Sequence, residues 1–158
     1  EIYLNGTLGA TFRNDGRILN VSDPQSPQDV ATKNYVDDNK FAITIAASDE
    51  TSNLAVGQNV VTFRMPYAMT LTDIRASVTT APVGSTILVD VKQNGSSIFT
   101  TNPLSIDSTE RTSTTAATAA NITTTALGDD GEITVSIAQV GSTTAGAGLK
   151  ITLIGTKA

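Results

Sequence analysis

Three features of the sequence predict a mainly β chain, with one short helix near its start and a β-sandwich or jelly-roll domain over the remainder. Thr is the commonest residue, with Ser, Val and Ile around it, while Leu, Glu and Lys are sparse, a mixture that favours strands. From Ala42 onward, short alternating segments are separated by clusters of Gly, Asn, Asp and Pro. Before that point one stretch, SPQDVATKNYVDDN from Ser26 to Asn39, carries helix-start signals but little apolar surface.

Residues 1–41 form the first predicted region. LNGT and FRNDGRIL contain tight-turn signals, and the second would fold Thr11 to Arg13 against Arg17 to Leu19. A hairpin this small is marginal in water without something to pack on. The helix is expected over about 27–39: Ser26 stands where an N-cap should, Pro27 at the first helical position and Asp29 at the third, where its charge suits the helix dipole. Its apolar residues are Val30, Ala31, Tyr35 and Val36, with Asn34 interrupting them. At roughly 12 residues it is near the length below which an isolated helix is marginal. Two readings are open. The helix packs on the following domain of its own chain, or Val30, Tyr35 and Val36 meet their equivalents from other copies around a symmetry axis, which would also support the hairpin.

Residues 42–158 read as one all-β domain. FAITIAA, NVVTFR, TLTDIRASVTT, TILVDVK, SSIFTT, EITVSIA and LKITLIG are the strand candidates. Ile74, Ala76 and Val78 should share one face against Asp73, Arg75 and Ser77; Ile87, Val89 and Val91 oppose Asp90 and Lys92; Ile133, Val135 and Ile137 oppose Thr134 and Ser136. Half-buried strands of packed sheets alternate in this way. The Thr- and Ala-rich stretch over 107–131 is expected to be a long surface connection holding one extended strand around Arg111 to Ala116. The total, about eight strands between turn clusters, is the pattern of a sandwich or jelly roll.

Composition excludes several chemistries. With no Cys and no His there is no disulfide, thiolate nucleophile or imidazole base, and the two commonest transition-metal ligands are missing. A net charge of -5 argues against nucleic acid as a partner, because phosphate binding needs a basic surface. No apolar run approaches a membrane span, and the start of the chain has no signal-peptide pattern. The opening EIYLNG has no Met and reads as a cut in a longer chain. Paired acids at Asp37-Asp38, Asp49-Glu50 and Asp129-Asp130, with Glu132, sit in turn and cap contexts. No catalytic, cofactor or metal residue is expected. Tyr67, beside Pro66 at a bend, is the aromatic most readily exposed and hence the candidate receptor contact, against an alternative reading as core.

The segment GRILNVSDPQSPQDVATKNYVDDN resembles a motif recurrent in bacteriophage tail fibres and other virion proteins. The motif has a Gly-basic-Ile turn, an Asn-Val or Asn-Leu, an acidic-Pro, a spacer, and Asp-Ala-Ala-Thr-Lys-x-Tyr-Val-Asp. The match runs through Gly16, Ile18, Asn20, Val21, Asp23, Pro24, Asp29, Ala31, Thr32, Lys33, Tyr35, Val36 and Asp37, with Val30 where Ala is usual. It covers the first quarter of the chain. The remainder, with its FRMPYAMTLTDIRASVTTAPVGS, LVDVKQNGSSI and VGSTTAGAGLKITLIG, looks like a β domain of tailed-phage structural proteins. The resemblance implies a homotrimeric virion appendage in which residues 1–41 are a shaft with a helical collar and residues 42–158 a head. It further implies adhesion to a bacterial cell-surface glycan or outer-membrane protein, with other virion proteins as partners. A structural virion part that docks on phage proteins and a glycan-cleaving head are the alternatives.

Overall fold

The computed structural model describes Gln25 and residues 40–158. The expected hairpin, the helix over about 27–39, and Val30, Tyr35 and Val36 lie outside the described residues. The chain divides into two units, Glu1–Val36 and Asp37–Ala158, and the described strands belong to the second.

These strands are β1 (Lys40–Ala46), β2 (Gly57–Arg64), β3 (Met69–Ser77), β4 (Ile87–Gln93), β5 (Ser96–Ser97), β6 (Leu104–Ile106), β7 (Ala126–Leu127), β8 (Glu132–Gln139) and β9 (Lys150–Lys157). They pair antiparallel in two sheets. The first has the order β1-β9-β3-β7; the second has β2-β8-β4-β5, with β6 also on β4. Every connection except β4-β5-β6 passes from one sheet to the other. Met69, Leu71, Ile74, Ile151 and Leu153 of the first sheet and Ile87, Val89, Ile133, Val135 and Ile137 of the second join one core cluster. The result is a mainly β unit compatible with a β-sandwich.

Alternation explains most of these elements. Ile87, Val89 and Val91 are buried along β4, and Ile133, Val135 and Ile137 along β8, as their period of two requires. In β3 the buried parity changes: Met69 and Leu71 face the core, then Ile74 and Ala76 do. A register shift against β9 between Leu71 and Asp73 inserts Thr72, and one extra residue moves the following side chains to the opposite face. Asn94 and Gly95 connect β4 and β5 with φ of 49° and 83°, the left-handed pair that a two-residue hairpin demands.

Four expectations are corrected. Thr134 and Ser136 are buried rather than solvent-facing, because β8 runs between β2 and β4 and an irregularity in β2 lays the Asn59 N–H on the Ser136 hydroxyl at 3.0 Å. The SSIFTT strand shortens to Ser96–Ser97: the Ile98 N–H still reaches Val91 O at 2.9 Å, but Phe99 turns away to bridge Ile122, and both side chains enter the core. The strand expected around Arg111 to Ala116 is instead a bridge between Ser77 and Thr112 followed by a 3-10 turn at Ser113–Thr115, capped by the Thr112 hydroxyl. Lys40 and Phe41, assigned from sequence to the first region, are the opening residues of β1.

Loop-to-loop hydrogen bonds close both ends. At one, the Leu54 N–H reaches the Gly146 carbonyl at 2.8 Å and the Thr79 N–H the Ala147 carbonyl at 2.9 Å. At the other, the Met65 N–H reaches Gly131 O at 3.0 Å, and the Glu132 N–H reaches Asn94 Oδ1 at 3.0 Å.

Candidate functional site

Two surfaces of this unit stand out, a cleft and a side with exposed apolar residues. The first is a cleft of about 310 Å³ at the free edge of β3. It exists because the connection over 107–125 straddles both sheets. That segment pairs first with β3, where the Val78 N–H donates to Arg111 O at 3.0 Å and the Ala76 N–H to Ser113 Oγ at 2.9 Å. It then lies against the edge of the second sheet, through Asn121 N–H to Asn102 O at 3.0 Å and Thr123 N–H to Ile98 O at 2.9 Å. It returns to β3 when the Leu71 N–H meets Thr125 O at 2.7 Å. Thr72 to Arg75 are left without a strand partner on that side.

Ile74, Leu104, Ala119, Ala120 and Ile122 give the cleft its apolar lining, and Asp73, Arg75, Ser113 and Thr114 its polar groups. Arg75 Nε lies 2.7 Å from Asp73 Oδ2, and Asp73 Oδ1 accepts from the Ile74 N–H at 2.8 Å. The connection is itself tied down. Asp107 accepts from the Ala117 N–H at 2.9 Å, the Glu110 carboxylate from the Thr115 hydroxyl at 2.7 Å, and Thr118 O from Ser105 Oγ at 3.3 Å. Sequence reading places Asp73, Ile74 and Arg75 on a strand and Ser113, Thr114 and Ile122 in the Thr- and Ala-rich connection, but does not join them into a site. Asp73-x-Arg75, opposite charges two apart on one strand face, was a signal for the ion pair, but nothing local brings Leu104, Ser113 and Ile122 to it.

The second surface is the side formed by β1 and β2. Each is the outer strand of its sheet. Ile43, Ile45, Val61 and Phe63 pack on the core but are only partly buried. Phe41, Val56 and Val60, at 39, 61 and 39% exposure, are three of the four large hydrophobics exposed among the described residues. No charged side chain interrupts β1 after Lys40 or β2 before Arg64.

Tyr67 stands between β2 and β3, half-buried against the core. Its ring meets Phe41 edge-on with centroids 5.8 Å apart, and Lys157 Nζ lies 6.0 Å from its centroid. The core reading and the exposed reading each hold for part of this side chain.

A third group, on the loop after β1, is structural. The Asp49 carboxylate accepts from the Ser52 and Thr51 N–H groups at 2.6 and 2.8 Å, which lowers its pKa from 3.8 to about 2. Glu50 bonds the Lys150 ammonium and the Thr79 hydroxyl, and its pKa falls for those reasons in that order. Among the described residues, no three His, Cys, Asp or Glu side chains cluster as a metal site would need. Comparison with family models, curated proteins and solved structures finds no match to this chain.

Proposed function

We propose that the chain is a non-enzymatic phage tail fibre protein whose homotrimeric head adheres to the bacterial host surface. The observation that carries this reading is the run from Gly16 to Asp37, whose spacing and identities agree with the virion-fibre motif over about 22 residues. In this reading the residues before β1 form the shaft, and Val30, Tyr35 and Val36 close a helical collar around a three-fold axis.

The described unit supports the head assignment in two ways. Its strand order, with all but the central β4-β5-β6 run crossing between the sheets, supports the finer reading of a jelly roll, an architecture used in viral coats and lectins. Its β1-β2 side supports assembly: two outer strands with exposed apolar residues and no interior charges are an association surface unless covered. A closed ring of three heads covers all such sides at once. Adhesion then needs no tight individual site, because three weak contacts per trimer gain avidity from their effective concentration. Tyr67 borders the Phe41 end of this surface, and its exposed part is offered as a receptor contact.

The test is binding of the purified chain to a panel of bacterial strains, with phage particles and surface polysaccharide alongside. Saturable binding to susceptible cells is expected. Binding only to capsid or tail particles would replace adhesion by a structural docking role, and release of reducing ends from polysaccharide would replace it by glycan cleavage.

A further inference from the structure

We infer that the cleft at the free edge of β3 is a subsite for one uncharged sugar ring, an inference that rests on the adhesion reading and gives the receptor its chemical class. The cleft is preformed. Three side chain–backbone or side chain–side chain ties, from Asp107, Glu110 and Ser105, hold the connection in place, and the paired ends of that connection set the width of the gap over Thr72 to Arg75.

Charge selects a neutral ligand. Asp73 and Arg75 neutralise one another at 2.7 Å, so neither an anion nor a cation entering the cleft meets an unpaired opposite charge. The pair still offers hydrogen bonds. Arg75 spends only Nε, and among the described residues nothing bonds its two Nη groups, so they can donate. The Asp73 oxygens, each with one partner, can accept again. Ser113 Oγ accepts from the Ala76 N–H, which leaves its own proton to give. A carboxylate, a guanidinium and a hydroxyl within one small cleft match adjacent hydroxyl groups. The apolar lining by Ile74, Leu104 and Ile122 matches the C–H face of the same ring.

Size limits the ligand further. About 310 Å³ is at the lower end of the roughly 300–1,000 Å³ of ligand sites, so it admits one ring and not an extended oligosaccharide. No aromatic lines it, and stacking adds nothing to affinity. The site is therefore weak, in the range that a multivalent head makes useful. A peptide adding as a strand to β3 is the competing occupant, but the gap offers only Thr72 to Arg75, and Asp73 already takes the Ile74 N–H.

The experiment is amide NMR on the full 158-residue chain, titrated to millimolar concentration with a panel of neutral monosaccharides, with glucuronate as the charged control and an alternating Val-Thr peptide as the strand control. At least one neutral sugar is expected to give saturable shifts confined to residues around Ile74, Ser113 and Ile122, with glucuronate at least ten-fold weaker. Arg75→Ala and Ala119→Trp, the second filling the cleft from its lining without touching the ion pair, should each weaken the response ten-fold or more at unchanged melting temperature. Overturning results are no shift with any neutral sugar, shifts spread over the surface, or a response at β3 to the peptide alone. Cell binding separates the two claims. Wild-type binding that survives in both variants removes the cleft from the receptor site and leaves adhesion standing; cleft-confined sugar shifts without binding to any cell leave the subsite and remove adhesion.

Discussion

Asp49 shows how one side chain makes this fold sensitive to acid. Two backbone N–H groups stabilise its charged form, so folding lowers its pKa from 3.8 to about 2. The unfolded chain then binds more protons than the folded one across that interval, and stability must fall as pH falls. Its contribution is complete above pH 3.8 and is lost as the pH drops through about 2. Glu50, lowered by Lys150 and then Thr79, acts in the same direction. Asp49→Asn keeps the shape and removes the titration, so its denaturation midpoint should depend less steeply on acid than wild type; identical pH profiles would contradict this. Two glycines isolate backbone strain in the same manner. An added Cβ would meet nothing at Gly95 or at Gly128, but only Gly95 has positive φ, at 83°. Gly95→Ala should cost about 1 kcal/mol or more in urea denaturation, whereas Gly128→Ala should be neutral or slightly stabilising.

At the scale of elements, the β1-β2 side carries the proposed assembly. Val60 is 39% exposed beside the β2 irregularity, and in the trimer reading a second copy covers it. Val60→Asp should therefore shift the native mass toward a single chain, measured by sedimentation, with far-UV spectra unchanged. A variant that keeps its mass would place the contact elsewhere. The same scale shows why some elements were legible and others were not. Ile74, Ala76 and Val78, or Ile87, Val89 and Val91, state their strands by period alone, and all six are buried. β6 is three buried residues after Pro103, too short for any period, and β7 is two residues held by β3. Burial of Thr134 and Ser136 follows from a central position in the sheet, which local pattern does not encode. The cleft was invisible for a related reason: Asp73, Leu104, Ser113 and Ile122 come together only through a connection that changes sheets twice.

For the whole molecule, the proposed fibre requires that single contacts be weak and their sum strong. In that reading the expected helix, the β1-β2 side and the small cleft each contribute little in one copy. Three copies would enclose an axis, cover the apolar sides and present three subsites together. Native mass in solution, by light scattering or native mass spectrometry, tests this most directly. The account predicts a species of about three times 16.3 kDa that persists on dilution. A stable species of 16.3 kDa would contradict it, for the apolar side would then face water and the head would have to act alone.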